Sequence, residues 1–289
     1  MVRIGIYGYE CTRKATFDTF SIIPRYTDFR QVKSLASAEW NYHLTAFLEI
    51  PGKKQFDTDT RNLAFDLGAV LSFIDHKDVI IANFLNDSET YENLSNDFPL
   101  KLVGQKRHDG GGQVIESDTF AAKSRGDFIE LALSKLSDKS DPNNDAFRQA
   151  FFKSVEVFRA RKPYIDISYY LLFSGLESLS RSVFEDYSSN AARPICNLLK
   201  RYGFNIEQDN ANNLQRAVST YTHLRNAMFH NGEFEKRVNI NGEDVVLKLT
   251  DYCSQFEQLV PLALIKYINF DDGHVNWESW IDGMPFKQQ

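Results

Sequence analysis

The sequence predicts an α+β protein in two parts: a β-rich domain over residues 1–125, then an all-α bundle with a small β-hairpin over residues 126–289. Three observations carry this. Short β-branched or aromatic runs, parted by Asp, Asn, Gly and Pro, fill the first part. From Gly126 onward apolar residues recur at three and four instead. Late in the chain, Asn241-Gly242 interrupts two alternating segments, the signal for a two-residue hairpin turn.

Taken in order, Val2–Tyr7 alternates as a strand does, and Leu44–Ile50 is a strand ended by Pro51-Gly52. Ala69–Ile74 and Val79–Phe84 read as strands flanking the turn-like Asp75-His76-Lys77-Asp78. Phe98–Val103 follows another polar stretch, and the set suggests an antiparallel sheet or sandwich. Asp127–Leu136 is a short helix, and the breaker Asp138–Asn144 follows it. Asp145 caps a helix through about Arg161. Pro163 opens the next, along which Ile165, Tyr169, Leu172, Phe173, Leu176, Leu179 and Val183 form one stripe. A shorter helix, Pro194–Tyr202, stops at Gly203. Asn210–Phe229 is helical, with Leu214, Val218, Tyr221 and Met228 aligned. The hairpin spans Lys236–Leu249, and a last helix runs from Thr250 or Asp251 to about Ile268. An aromatic tail with Trp277, Trp280 and Phe286 is expected to pack back onto the body.

Composition excludes several classes of function. The net charge is −6, and the parts before and from Gly126 carry 15 basic against 17 acidic and 18 against 22 residues. Neither is a basic reservoir, so any RNA contact must come from a local patch or a groove between subunits. There is no apolar run of about 18 residues, and the start Met1–Ile6 lacks the apolar stretch of a secretory signal, so no membrane partner is expected. Cys11, Cys196 and Cys253 are scattered and make neither a zinc cluster nor a disulfide framework. A cytoplasmic protein with reduced thiols is expected.

The most informative segment is Arg225-Asn226-Ala227-Met228-Phe229-His230, ending a helix before Asn231-Gly232. It sets a fixed cation, an amide and an imidazole within two helical turns, a toolkit for cleaving a phosphodiester without a metal. Arg225 follows Tyr221 by four and Val218 by seven, so it points toward the apolar stripe, where a guanidinium needs a partner. Glu177 on the preceding long helix is the candidate, although Arg181, four residues on, offers it an ordinary surface bridge. The plain alternatives are that Arg225 is an internal ion-pair residue, Asn226 a structural hydrogen-bonder and His230 a cation at a helix C-terminus.

The long helix bearing Tyr170–Leu179, the helix ending Leu224–Gly232, the hairpin and the last helix together resemble the HEPN superfamily, within it the ApeA-like branch of antiviral defence proteins. The resemblance covers roughly residues 145 to 270. It implies an all-α bundle that forms homodimers, joining two Arg-x4-His motifs in a shared cleft. For active members it implies metal-independent cleavage of RNA; other members only dimerise or bind nucleotides. The setting it implies is phage defence or toxin-like growth arrest.

The chemistry is consistent with that. RNA supplies its own nucleophile, the 2′-OH, so a ribonuclease needs a base, an acid and positive charge on the phosphorane. His230 suits proton transfer, and Arg225 can donate twice to phosphate oxygens as charge develops. Asn226, four residues before His230, could orient it or bind phosphate. No cofactor or metal is needed, and the products carry 2′,3′-cyclic phosphate and 5′-OH ends. One geometric difficulty stands: five residues separate Arg225 and His230 by about 140° around an ideal helix. A helix that loosens before Asn231, a long Arg225 side chain reaching round, or a dimer cleft pairing one residue from each chain would each resolve it.

The alternative reading is a non-catalytic dimerising module that binds a nucleotide, a ligand or a protein partner, with the N-terminal domain as the recognising part. Nucleotidyl transfer or nucleotide binding at the same cleft is a third. Other motifs carry less. Gly110-Gly111-Gly112 after Lys106-Arg107-His108 lacks the phosphate-loop pattern and reads as a loop. Asp57-Thr58-Asp59 and Asp75–Asp78 have metal-ligand residues, but turns are made of the same ones. His43 reads as packed in a strand.

Overall fold

The structure is a computed structural model that describes residues 1–53, 57–106, 113–162 and 164–287. It is a mixed α+β protein. The glycine run with Arg107 and His108, and Pro163 as a helix opener, lie outside the described residues. The chain divides into two compact units, Met1–Leu136 with Phe158–Lys162, and Ser137–Val157 with Pro163–Gln289.

The first unit runs β1 (Val2–Tyr7), β2 (Ala15–Thr16), β3 (Ser21–Pro24), α1 (Phe29–Ala36), β4 (Asn41–Ile50), α2 (Thr58–Asp75), β5 (Ile80–Phe84), β6 (Lys101–Val103) and α3 (Ser124–Ser137). Among the described residues the strands form an antiparallel sheet in the order β2-β3-β4-β1-β5, with β6 on β4. β4 is the organising strand because it alone is long enough, at 10 residues, to take β1, β3 and β6 as neighbours. Tyr7, Tyr42, Leu44, Phe47, Leu85 and Phe98 close into one apolar cluster on this sheet.

The expected strand at Ala69–Ile74 is instead the C-terminal part of helix α2. Residues Leu67 to Asp75 are all buried, so the helix shows no polar face there, and a short apolar run cannot by its pattern distinguish buried helix from buried strand. The helical signals lie at its ends. Asp57 Oδ1 accepts from Thr60 N at 2.8 Å as an N-cap, and His76 closes the helix in the left-handed region at φ 49°. Asp57-Thr58-Asp59 is therefore a helix start, and no cluster of metal-ligand residues exists among the described residues. Helix α1 was not expected; only Val32 and Ala36 of it are buried, too few to write a period.

Among the described residues, one lysine and one arginine are buried in this unit. Lys106 is 2% exposed; its Nζ donates to the Ala36 carbonyl at 2.6 Å, at the end of α1, and lies 5.2 Å from the centre of the Tyr42 ring. Burial lowers this amine to about 8 from an ordinary 10.5, Lys77 adding to the effect and Asp75 and Asp78 opposing it. The folded chain then binds fewer protons than the unfolded one between those values, so this group adds stability as pH rises from about 8 to 10.5. Urea melts should show wild type gaining on Lys106→Met across that window, by at most about 1.4 kcal/mol per pH unit. A pH-independent difference would contradict the buried amine.

Arg125, 3% exposed, is the second. It pairs with Asp75 at 3.2 Å and Glu10 at 3.4 Å, and donates to the carbonyls of Glu10 and of Glu116, the latter at 3.3 Å. It thereby ties the end of α2, the loop after β1 and the start of α3 together.

The second unit runs α4 (Asn144–Arg159), α5 (Ile165–Phe184), α6 (Ala192–Arg201), α7 (Val218–Asn231), β7 (Glu235–Ile240), β8 (Glu243–Lys248), α8 (Leu249–Tyr267) and α9 (Ser279–Asp282), α4 passing into the first unit at Phe158. Its core is aromatic. Phe256 of α8 lies 5.1 Å from Tyr169, 5.8 Å from Phe173 and 5.0 Å from Tyr221, ring centre to ring centre. The Tyr169 hydroxyl donates to the Tyr221 carbonyl at 2.7 Å, so its buried polar end is satisfied. At Gly175 a Cβ would stand 3.0 Å from the Cα of Ala150, so glycine there sets how closely α5 approaches α4.

Helix α7 starts later than the expected Asn210. Asn210 and Asn213 cap local turns through their side-chain oxygens, and Glu207 bridges Ala217 in parallel, holding Ala217 extended at φ −111°, ψ 116°. Side chains that bond their own backbone compete with a helix, and here they win until Val218. The hairpin turns at Asn241 (φ 53°) and Gly242 (φ 92°), as a two-residue turn requires. The tail returns with Trp280 buried beneath the Arg216 guanidinium, 5.4 Å away.

Candidate functional site

Helices α5 and α7 build the site. Each buries an apolar stripe, α5 through Tyr169, Leu172, Phe173 and Leu176, and α7 through Val218, Tyr221, Leu224 and Ala227. On α5 the residues beside that stripe include Tyr170, Glu177 and Arg181; on α7 they are Arg225, Asn226 and Phe229.

Arg225 and Glu177 meet. Arg225 Nη2 lies 3.3 Å from Glu177 Oε2, and Nη1 donates to Asn226 Oδ1 at 2.9 Å. The guanidinium also lies 5.6 Å from the Phe173 ring centre and 5.3 Å from that of Phe229. It is not buried as expected; its side chain is 31% exposed. Two N–H groups are used, and the others make no hydrogen bond to any described residue, which leaves a donor edge for a ligand.

Both proposed partners of Glu177 occur together. Arg181 donates to Glu177 Oε1 from Nε at 3.0 Å and from Nη2 at 2.9 Å, while Oε2 faces Arg225. Arg181 is itself fixed by the carbonyls of Asp186 at 2.9 Å and Ser188 at 2.7 Å. A carboxylate with 12% side-chain exposure, held by one anchored guanidinium, thus presents its second oxygen to the other. The three side chains carry a net charge of +1, so the cluster keeps cationic character. Sequence spacing exposed Arg181 only as a rival of Arg225; that the two share the carboxylate needs the packing of α5 on α7.

His230 stands apart. It is exposed and makes no hydrogen bond or ion pair with any described residue. Helix α7 does not loosen before Asn231: it continues through that residue and closes at Gly232 (φ 67°), whose N–H donates to the Met228 carbonyl at 2.9 Å. Asn226 holds Arg225 rather than His230. The separation of about 140° around the helix therefore persists within one chain. Of the proposed site residues, the structure brings Arg225, Asn226 and Glu177 together and leaves His230 on a different side of α7. A second imidazole, His223, lies two turns earlier, beside a 250 Å³ cleft under the hairpin, and burial lowers its pKa.

The other sequence candidates are structural. Asp78 accepts from the Tyr42 hydroxyl at 2.8 Å and pairs with Arg159 at 3.2 Å. His43 is half-buried in β4, and burial is the first cause lowering its pKa. All three cysteines are buried and none is in a disulfide. Among the described residues no helix is long and apolar enough to cross a membrane. Comparison with protein-family models, with curated proteins and with solved structures finds no match to this chain.

Proposed function

We propose that the second unit is a metal-independent endoribonuclease of the HEPN type that acts as a homodimer, with Arg225 of one copy and His230 of the other on a single phosphate. The observation that carries this reading is that one helix bears both a partly exposed, ion-paired Arg225 and an exposed His230. Glu177 and Asn226 hold the guanidinium by two of its N–H groups, so its free edge is oriented before any phosphate arrives. His230, exposed and without a hydrogen-bond or ion-pair partner among the described residues, is available to move a proton to or from the 2′-OH or the 5′ oxygen. A twofold axis beside α7 supplies to each site the group its own helix turns away. Phage defence or toxin-like growth arrest is the setting this reading favours, with the first unit recognising a ligand or protein that controls activity.

Total RNA incubated with purified protein and a chelator should yield fragments with 2′,3′-cyclic phosphate and 5′-OH ends, and His230→Ala should yield none. Intact RNA with wild type, or cleavage that survives in the variant, rejects the assignment. The second reading, a non-catalytic dimerising module, draws on the net charge of −6 and on the ion pair that occupies Arg225. It predicts no cleavage and a dimer that weakens in Arg225→Ala.

A further inference from the structure

Two large aromatic side chains near the site are open to solvent: Tyr170 is 42% exposed and Phe229 43%. Their ring centres lie 4.5 Å apart with the planes inclined at 53°. With Asp166, Ile167 and Met228 they line an open cleft of about 240 Å³. The Arg225 guanidinium lies 5.3 Å from the centre of the Phe229 ring, and His230 is the next residue.

We infer that Tyr170 and Phe229 form a stacking subsite for one unpaired nucleobase flanking the scissile phosphate; this rests on the nuclease reading above. Charge and shape argue for this occupant. A nucleotide presents an apolar, polarisable face joined to an anion, and here an open aromatic face adjoins a fixed cation with free donors. A base paired in an A-form duplex cannot offer its face, so the subsite selects splayed, single-stranded segments. Asp166 repels phosphate from the cleft itself and can accept a hydrogen bond from a base.

The test measures kcat/KM, with chelator present, on short RNAs each carrying one abasic nucleotide near the cut site. The enzymes are wild type, Phe229→Leu and Tyr170→Leu, which keep apolar volume at both positions. For wild type, one abasic position should cost about tenfold or more, and annealing a complementary strand should cost at least as much. For Phe229→Leu the intact RNA should already be about tenfold slower, and the abasic nucleotide should add no further loss. An abasic penalty undiminished in both variants overturns the stacking subsite while leaving the nuclease reading in place. Conversion of either variant to a monomer in sedimentation also overturns it, because the rings then belong to the dimer interface. Wild type that cuts none of the RNAs overturns the nuclease reading itself.

Discussion

Mixing Arg225→Ala with His230→Ala is expected to restore cleavage that neither variant has alone. Each substitution by itself should lower kcat severely: Arg225→Ala removes the charge that meets the developing phosphorane, about 10² to 10³-fold. His230→Ala removes the proton-transfer group, about 10² to 10⁴-fold. In a composite site the heterodimer holds one defective and one intact pair, because the Arg225 of the His230→Ala chain meets the His230 of the Arg225→Ala chain. Statistical subunit exchange puts half the chains in heterodimers, so about a quarter of the wild-type rate should return. No recovery after verified exchange would mean that both groups act from one chain, and the proposed cross-dimer geometry would be wrong. The variants should still fold. Arg181 continues to neutralise Glu177 in Arg225→Ala, and the exposed His230 side chain has no hydrogen bond or ion pair to lose among the described residues. Arg225→Lys should fail to rescue, since a single ammonium cannot hold Asn226 and Glu177 and also present a planar donor edge.

Arg125→Leu should cost the first unit about 3 to 5 kcal/mol, the usual penalty for leaving buried carboxylates without their partner. Asp75, 6% exposed, and Glu10, 9% exposed, both face that guanidinium. Burial already pushes the Asp75 carboxyl up, against the pull of Arg125, to about 6. Removing the cation pushes it further in the same direction. A carboxyl raised in the folded state contributes stability that is full below its unfolded value and lost as pH rises through the folded one. The deficit of Arg125→Leu relative to wild type should therefore be smaller at about pH 5 than at about pH 8. Hydrogen exchange of α2 and β1 gives a readout local to this unit. A deficit below about 1 kcal/mol at neutral pH would show that the ion pairs are not carrying the tie between α2 and α3.

Helices α5 and α6 of the second unit were legible in the sequence because each buries a stripe and leaves other positions open. The stripe from Ile165 to Val183 coincides with α5, and Asn241-Gly242 stands at the observed turn. The first unit was less legible where burial is complete. Ala69–Ile74 is apolar throughout because α2 is covered on all sides there, and a run without a polar face has no period to read. The late start of α7 was hidden for another reason: besides the Asn210 and Asn213 caps, it depends on a bridge from Glu207 to Ala217 that no local pattern announces.

The residues from Arg225 to His230, their placement at a helix end and the need of Arg225 for an acid are properties of the chain alone, because they follow from neighbours within two turns. Tertiary structure decided how that need is met. Packing α5 on α7 shares one carboxylate between two guanidiniums and leaves Arg225 with an open donor edge, while a helix that stays wound to Asn231 turns His230 away. Spacing along a helix fixes direction, but contact depends on which other surface arrives there, and only the fold supplies that.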